Sequence, residues 1–282
     1  MSVSGRKGTN KKSFGRVTVG PCDTLGGDRH CEPLNRVWIV ERPSRVRQSY
    51  AACTCGRRFA LRASELPIEA VERVTTPLPD DALNADELRK VIEGLWPEDV
   101  ESELAKVGVV PVGTEVLHHG TRSVARDSES AIDTLQARLL RTMAAANGIG
   151  LAANQIGAPV KMLAHNLPRV APAVLVNPVV LSSSGQWEYE EGCLSLQLDG
   201  VRASLRRPKT ITIVGDLPDG RGIVILADEL LARVLQHELD HLDGIEYVQR
   251  LVGMQRDRVY ATIRSAGIDV RWLPPQPYAS EQ

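Results

Sequence analysis

The chemistry of this sequence is most concentrated at His237-Glu238-Leu239-Asp240-His241. On a helix, residues i and i+4 share a face, so both imidazoles can reach one cation. Glu238 then stands beside that cation, where a general base can take a proton from an activated water. The chain has only 6 histidines, so a chance pair with a Glu in the base position is the weaker reading. A catalytic metal site usually has three protein ligands and one open position, which leaves one ligand to find.

Downstream residues do not supply it. A metzincin-type site needs a His where Tyr247 follows Gly244. A thermolysin-type site needs a Glu on a later helix, but Glu246 is too close along the chain and Glu281 lies in a polar tail. Upstream, Cys193 stands in the short turn Glu191-Gly192-Cys193-Leu194-Ser195. Its thiolate suits iron or zinc. The competing reading is an inert buried cysteine, and two histidines in need of a partner shift the balance toward a ligand. A third stretch, Gly148-Ile149-Gly150-Leu151-Ala152-Ala153-Asn154-Gln155, has glycines that let a substrate approach the backbone. The amide NH2 of Gln155 can donate to a developing oxyanion. The bland reading of this stretch is a Gly-rich helix end; no Lys-Ser/Thr follows, so it is not a phosphate loop.

Three helical segments and a group of strands would position these residues. Leu230, Leu231, Val234 and Leu235 give the His-bearing helix an apolar side; it should run from about Asp228 to Leu242 and stop at Gly244. Ile132, Leu135, Leu139, Leu140 and Met143 define an earlier helix, capped by Ser130 and ended by Asn147-Gly148. Strands are expected at Val160–Ala164, Ala173–Leu181, Thr210–Val214 and Gly222–Leu226, with Pro178 marking an edge or break. An amphipathic segment follows around Met254–Ile263. Strands grouped between helices, without regular alternation, make the class α+β.

Before residue 109 the texture differs. Residues 1–16 are polar and basic and are expected to be disordered. Residues 17–108 form an N-terminal module with a β-type run at Val37-Trp38-Ile39-Val40 and a helix capped by Asn84. Cys22, Cys31, Cys53 and Cys55 lie in this module, either as a structural zinc site or as free thiols; their spacing departs from paired Cys-x₂₋₄-Cys. Arg42, Arg45, Arg47, Arg57 and Arg58 are either a face for ribosomal RNA or another anionic partner, or an ordinary solvated surface. The boundary falls near Gly108–Gly113, the catalytic part covers 109–266, and 267–282 is a tail.

Lys plus Arg total 34 against 35 for Asp plus Glu, so no global charge pulls the chain toward nucleic acid or a membrane. No apolar run reaches membrane-spanning length. The basic start has no apolar stretch behind it, so a secretory signal is not expected and a reducing cytoplasm is. The oligomeric state is not readable.

Taken together, the three motifs resemble those of the peptide deformylase family, G-h-G-L-A-A-x-Q, E-G-C-L-S and Q-H-E-x-D-H, here at residues 148–155, 191–195 and 236–241. The resemblance implies antiparallel or mixed sheets around a central metal-binding helix. It implies that Cys193, His237 and His241 bind one divalent metal, usually ferrous iron in the family, with zinc or another ion able to replace it. It assigns proton transfer to Glu238 and oxyanion stabilisation to Gln155 and the backbone N–H of Leu194. Gly150 and Ile149 would lie along the bound peptide, and Leu230 and Val234 would line the methionine pocket. The implied reaction is hydrolysis of the N-formyl group from a nascent peptide; a specialised deacylase, or a catalytic domain tethered to a partner by the N-terminal module, is the alternative. Two departures stand out: Leu196-Gln197 where the family usually has an aliphatic residue and Pro, and an extension of about a hundred residues before the catalytic part.

Overall fold

The computed structural model describes residues 35–41, 45–52, 58–60, 68–95, 108–167 and 174–274. Expectations for residues 1–16, for Cys22, Cys31, Cys53 and Cys55, and for the side chains of Arg42, Arg45, Arg47, Arg57 and Arg58 fall outside the described residues. So does most of the tail.

The strands are β1 (Asn35–Glu41), β2 (Arg45–Ala52), β3 (Arg58–Ala60), β4 (Gly150–Ala152), β5 (Met162–His165), β6 (Val174–Ser184), β7 (Trp187–Glu191), β8 (Ala203–Arg207), β9 (Thr210–Asp216) and β10 (Gly222–Asp228). The helices are α1 (Ile68–Thr75), α2 (Ala85–Glu93), α3 (Glu129–Ala145), α4 (Glu229–Leu242) and α5 (Gly253–Ser265). Eight strands form one sheet in the order β3-β2-β1-β10-β9-β6-β5-β4, and β7 and β8 form a separate hairpin. The class is α+β, as expected. The sheet crosses the boundary drawn near Gly108–Gly113, because β1 pairs antiparallel with β10, Val37 opposite Ile225 and Ile39 opposite Ile223. β10, which would otherwise offer unpaired N–H and C=O groups, is thereby covered.

Period-two alternation gives this sheet two apolar faces. Val37, Ile39, Ile213, Ile223 and Ile225 point toward α4, where Leu231, Ala232, Leu235 and Leu242 meet them. Trp38, Val40, Val214 and Val224 point the other way, onto Ala70 and Val74 of α1. At the far end, Leu88 of α2 and Ile132, Leu135, Leu139 and Met143 of α3 pack over Leu151, Met162 and Val176. Asn84 caps α2 as read, accepting from the N–H groups of Asp86 and Glu87 in a capping box. For α3 the cap position is Ser128, not Ser130, and no side-chain cap bond forms there. Pro178 marks the expected break: the register of β6 with β9 jumps between Val176 and Val179, and pairing with β5 reaches no further than Val176. A bulge absorbs the proline, which has no N–H to offer the ladder. Gly215 faces it; a Cβ there would come within 2.9 Å of the Val176 carbonyl oxygen.

Candidate active site

α4 is buried nearly all round, including Arg233, Glu238, Asp240 and His241. Polar groups on an interior helix must find partners, and those partners build the site. The thiol of Cys193 and the ring nitrogens of His237 and His241 bring ligand atoms within 4.8 Å of one another. Cys193 Sγ is 3.2 Å from His241 Nε2. His237 turns Nδ1 toward Glu191 Oε2 at 2.9 Å, leaving Nε2 as its free coordinating nitrogen. This donor set fits a single divalent ion with bonds of about 2.0–2.3 Å.

The electrostatics point the same way. Burial pushes the Cys193 thiol up to about 11, and the Glu246 carboxylate adds to the rise. Burial opposes a charge on His237, but hydrogen bonds with Cys193 and Glu191 lift its pKa well above the usual value. Burial, then the neighbouring His237, drives His241 well below it. A bound cation would take the place of the protons that such ligands otherwise carry.

Beneath the ligands runs a chain of ion pairs. Arg207 grips both oxygens of Glu191 at 2.7 and 2.9 Å and reaches Asp240 at 2.6 Å. Arg233 adds a bond to Glu191 at 2.8 Å, and Arg250 binds Asp240. Burial alone would raise the Glu191 carboxyl, but the bonds to His237 and Arg207 hold it far below the usual carboxylate range.

Above them is a cleft of about 550 Å³ lined by Ile149, Gly150, Gln155, Cys193, Leu194, Leu230, Val234, His237 and Glu238, among others. Every site residue expected from sequence lies on it except His241, which is 0% exposed behind its floor. Glu238 packs against the backbone of Gly150, where any Cβ would come 2.3 Å from Oε1; that position needs glycine. Burial raises Glu238 to about 7. Gln155 Oε1 accepts from the Ala152 N–H at 2.9 Å, so its NH2 is turned to Ser195 Oγ at 3.2 Å and Cys193 Sγ at 3.5 Å. The segment after Gly108 joins the two motif loops: the Val110 N–H donates to the Gln155 carbonyl and the Val112 N–H to the Ser195 carbonyl, both at 2.8 Å. Leu196 and Gln197, where the sequence departs from the family pattern, also line the cleft.

Sequence reasoning missed the supports. Glu191 stood inside a recognised motif without a role, and Arg207, Arg233 and Arg250 carried no local signal. Glu246, set aside as too near along the chain, lies against His241 Nδ1 at 3.5 Å.

Residues 107–257 match the family model described as polypeptide deformylase. Peptide deformylase 2 of Prochlorococcus marinus (strain MIT 9313) is 42% identical over 145 residues, 50% of this chain and 71% of that protein. The peptide deformylase of Rhodococcus opacus (strain B4) is 36% identical over 180 residues, 58% of this chain and 90% of its own. Among solved structures, peptide deformylase from Thermus thermophilus aligns with a TM-score of 0.53 at 34% identity, covering 59% of this chain and 96% of that one. One from Synechococcus elongatus, in complex with actinonin, gives 0.52 at 32%, covering 59% and 89%. β1, β2 and β3 precede the matched residues.

Proposed function

Since the chain belongs to the polypeptide deformylase family, we propose that Cys193, His237 and His241 hold its metal and that Glu238, Gln155 and the Leu194 N–H carry its catalysis. The protein is a hydrolase that removes the N-formyl group from nascent formylated peptides. The observation that supports the site assignment best is the convergence of the three ligand atoms within 4.8 Å on the floor of the cleft. We infer ferrous iron as the ion, as the resemblance to the family implies, with zinc able to replace it, since a thiolate with two imidazoles suits both. When bound, such an ion acts as a Lewis acid and lowers the pKa of water toward about 7.

The chain's own groups do the rest. Glu238 takes the proton of the attacking water on its carboxylate and passes it to the departing amine nitrogen. Gln155, its amide fixed by the Ala152 N–H, turns an N–H toward the oxygen of the formyl carbon as charge collects there. The Leu194 N–H supplies the second donor. Ile149 and Gly150 run beside the peptide backbone, and Leu230 and Val234 meet the methionine side chain. No described helix is long and apolar enough to cross a membrane, and we place the reaction in the cytoplasm, where formylated chains leave the ribosome.

The test is formate release from a formyl-Met peptide by iron-loaded protein purified without oxygen, beside the acetylated peptide. Formate from the first and little acetate from the second is expected. Equal or preferred release of acetate would overturn the substrate assignment in favour of a deacylase.

A further inference from the structure

Glu246 is 0% exposed, and neither of its carboxyl oxygens has a hydrogen-bond partner. Its nearest ionic neighbour is Nδ1 of His241 at 3.5 Å, and that nitrogen has no hydrogen-bond partner among the described residues. The side chain of Cys193 is also within its reach. Glu246 therefore sits behind two of the three proposed ligands.

The surroundings of the two imidazoles differ in one respect. Glu191, behind His237, is neutralised by Arg207 and Arg233. Glu246, behind His241, has no Arg or Lys ion pair among the described residues. A buried carboxylate with no Arg or Lys beside it, and only the Cys193 thiol and the two imidazoles in reach, is disfavoured unless something else in the site compensates it. Backbone geometry holds it there: its N–H donates to Gln249 Oε1 at the start of the turn Tyr247–Arg250, and the Tyr247 hydroxyl is tied to the Val201 carbonyl at 2.8 Å. The charge that would complete this arrangement is a cation on the far side of His241.

We propose that Glu246 is a positioning residue for the metal: it accepts the Nδ1 hydrogen of His241, fixes Nε2 as the ligating nitrogen, and supplies negative charge matched to a divalent ion beside Cys193. Carboxylate–imidazole–metal relays of this kind raise the donor strength of the imidazole, and their loss typically weakens metal binding by about 10–100-fold. The proposal rests on the ligand assignment above. It also makes a signed prediction that simple space-filling does not. Without metal, Glu246 is a buried group with no Arg or Lys ion pair among the described residues, so replacing it with an apolar side chain should leave the metal-free protein as stable as before or more so, while weakening metal binding.

The experiment uses the full chain with Glu246→Leu and Glu246→Gln. Zinc dissociation constants are measured by chelator competition, and thermal midpoints with and without zinc. Glu246→Leu should bind zinc about 10–100-fold more weakly with an unchanged or higher metal-free midpoint. Glu246→Gln, which keeps an acceptor without the charge, should fall between. Wild-type zinc affinity in Glu246→Leu, or a metal-free midpoint that falls together with affinity, overturns the proposal. Should the Leu variant not fold, the Gln variant decides: weaker zinc binding at an unchanged metal-free midpoint sustains it, and wild-type affinity overturns it. His241→Ala serves as the reference. If it retains zinc, the ligand assignment itself has failed; if it loses zinc while the Glu246 variants do not, only the present inference fails.

Discussion

The cleft wall and the layer beneath the ligands both carry buried glutamates, Glu238 and Glu191, that behave differently. On the wall, Glu238 and Gln155 line the cleft, Glu238 packed against Gly150 and Gln155 fixed by the Ala152 N–H. Beneath, Glu191, Arg207, Arg233, Asp240 and Arg250 face one another, and their polar atoms are largely consumed in ion pairs. A carboxylate left with free capacity at a cleft can act on a substrate; one saturated by guanidinium groups can only hold its neighbours in place. Wall substitutions should therefore change turnover and spare the fold, and substitutions beneath should cost stability first and reach function only through the ligands they hold.

The largest effects should come where the two layers meet. Cys193→Ala should lose both the metal and essentially all formate release, measured by metal analysis and turnover. Glu238→Ala should lose turnover almost as completely while keeping its metal, since the three ligands remain. Retention of metal by the first, or near-normal turnover in the second, would erase the distinction between ligand and base. Gln155→Leu should lower kcat by about 10²–10³, the usual loss of one oxyanion donor, with an unchanged melting temperature; an unchanged rate would remove Gln155 from the wall's chemistry. Glu191→Ala leaves Arg207 and Arg233 buried without their carboxylate, so denaturant titration should show a loss of about 3–5 kcal/mol. Its metal affinity should also fall by about 10–100-fold through His237. A variant as stable as the parent would show that the lower layer is not structural. Ile149→Ala is the smallest change: at 53% exposure Ile149 contributes little to the core, so KM for formyl-Met peptides should rise a few-fold with stability unchanged.

The wall was legible in sequence because its chemistry is local. His237, Glu238 and His241 occupy neighbouring positions of one helix, and Cys193 and Gln155 each sit in a short recognisable stretch. The lower layer was not, because its partners come from distant parts of the chain: Arg207 meets Glu191 from 16 residues away and Asp240 from 33. The β7–β8 hairpin escaped for a related reason. β8 alternates inward and outward, but its third inward residue is Arg207 rather than an apolar one, so the period-two signal is short by one. β7 reads Trp-Glu-Tyr-Glu-Glu and is mostly exposed, which looks like a polar turn. Five strands of the main sheet, β1, β5, β6, β9 and β10, were found where apolar residues cluster, while β2, β3 and β4 were missed; the order could not be read, since register depends on partners that the local pattern does not name.

The pairing of β1 with β10 also sets a schedule for the birth of this protein. Asn35 and Asp228, joined by a 2.9 Å hydrogen bond, are 193 residues apart. At about 5–20 residues per second of synthesis, the first strand waits on the order of tens of seconds before its partner emerges. Through that interval Val37, Trp38, Ile39 and Val40, all buried in the finished sheet, lack β10, with β2 beside them and α1 over Trp38 and Val40. Closing so long a loop delays native contacts, so the nascent chain should hold a chaperone's attention longest at β1, and completion of β10 is the event that releases it.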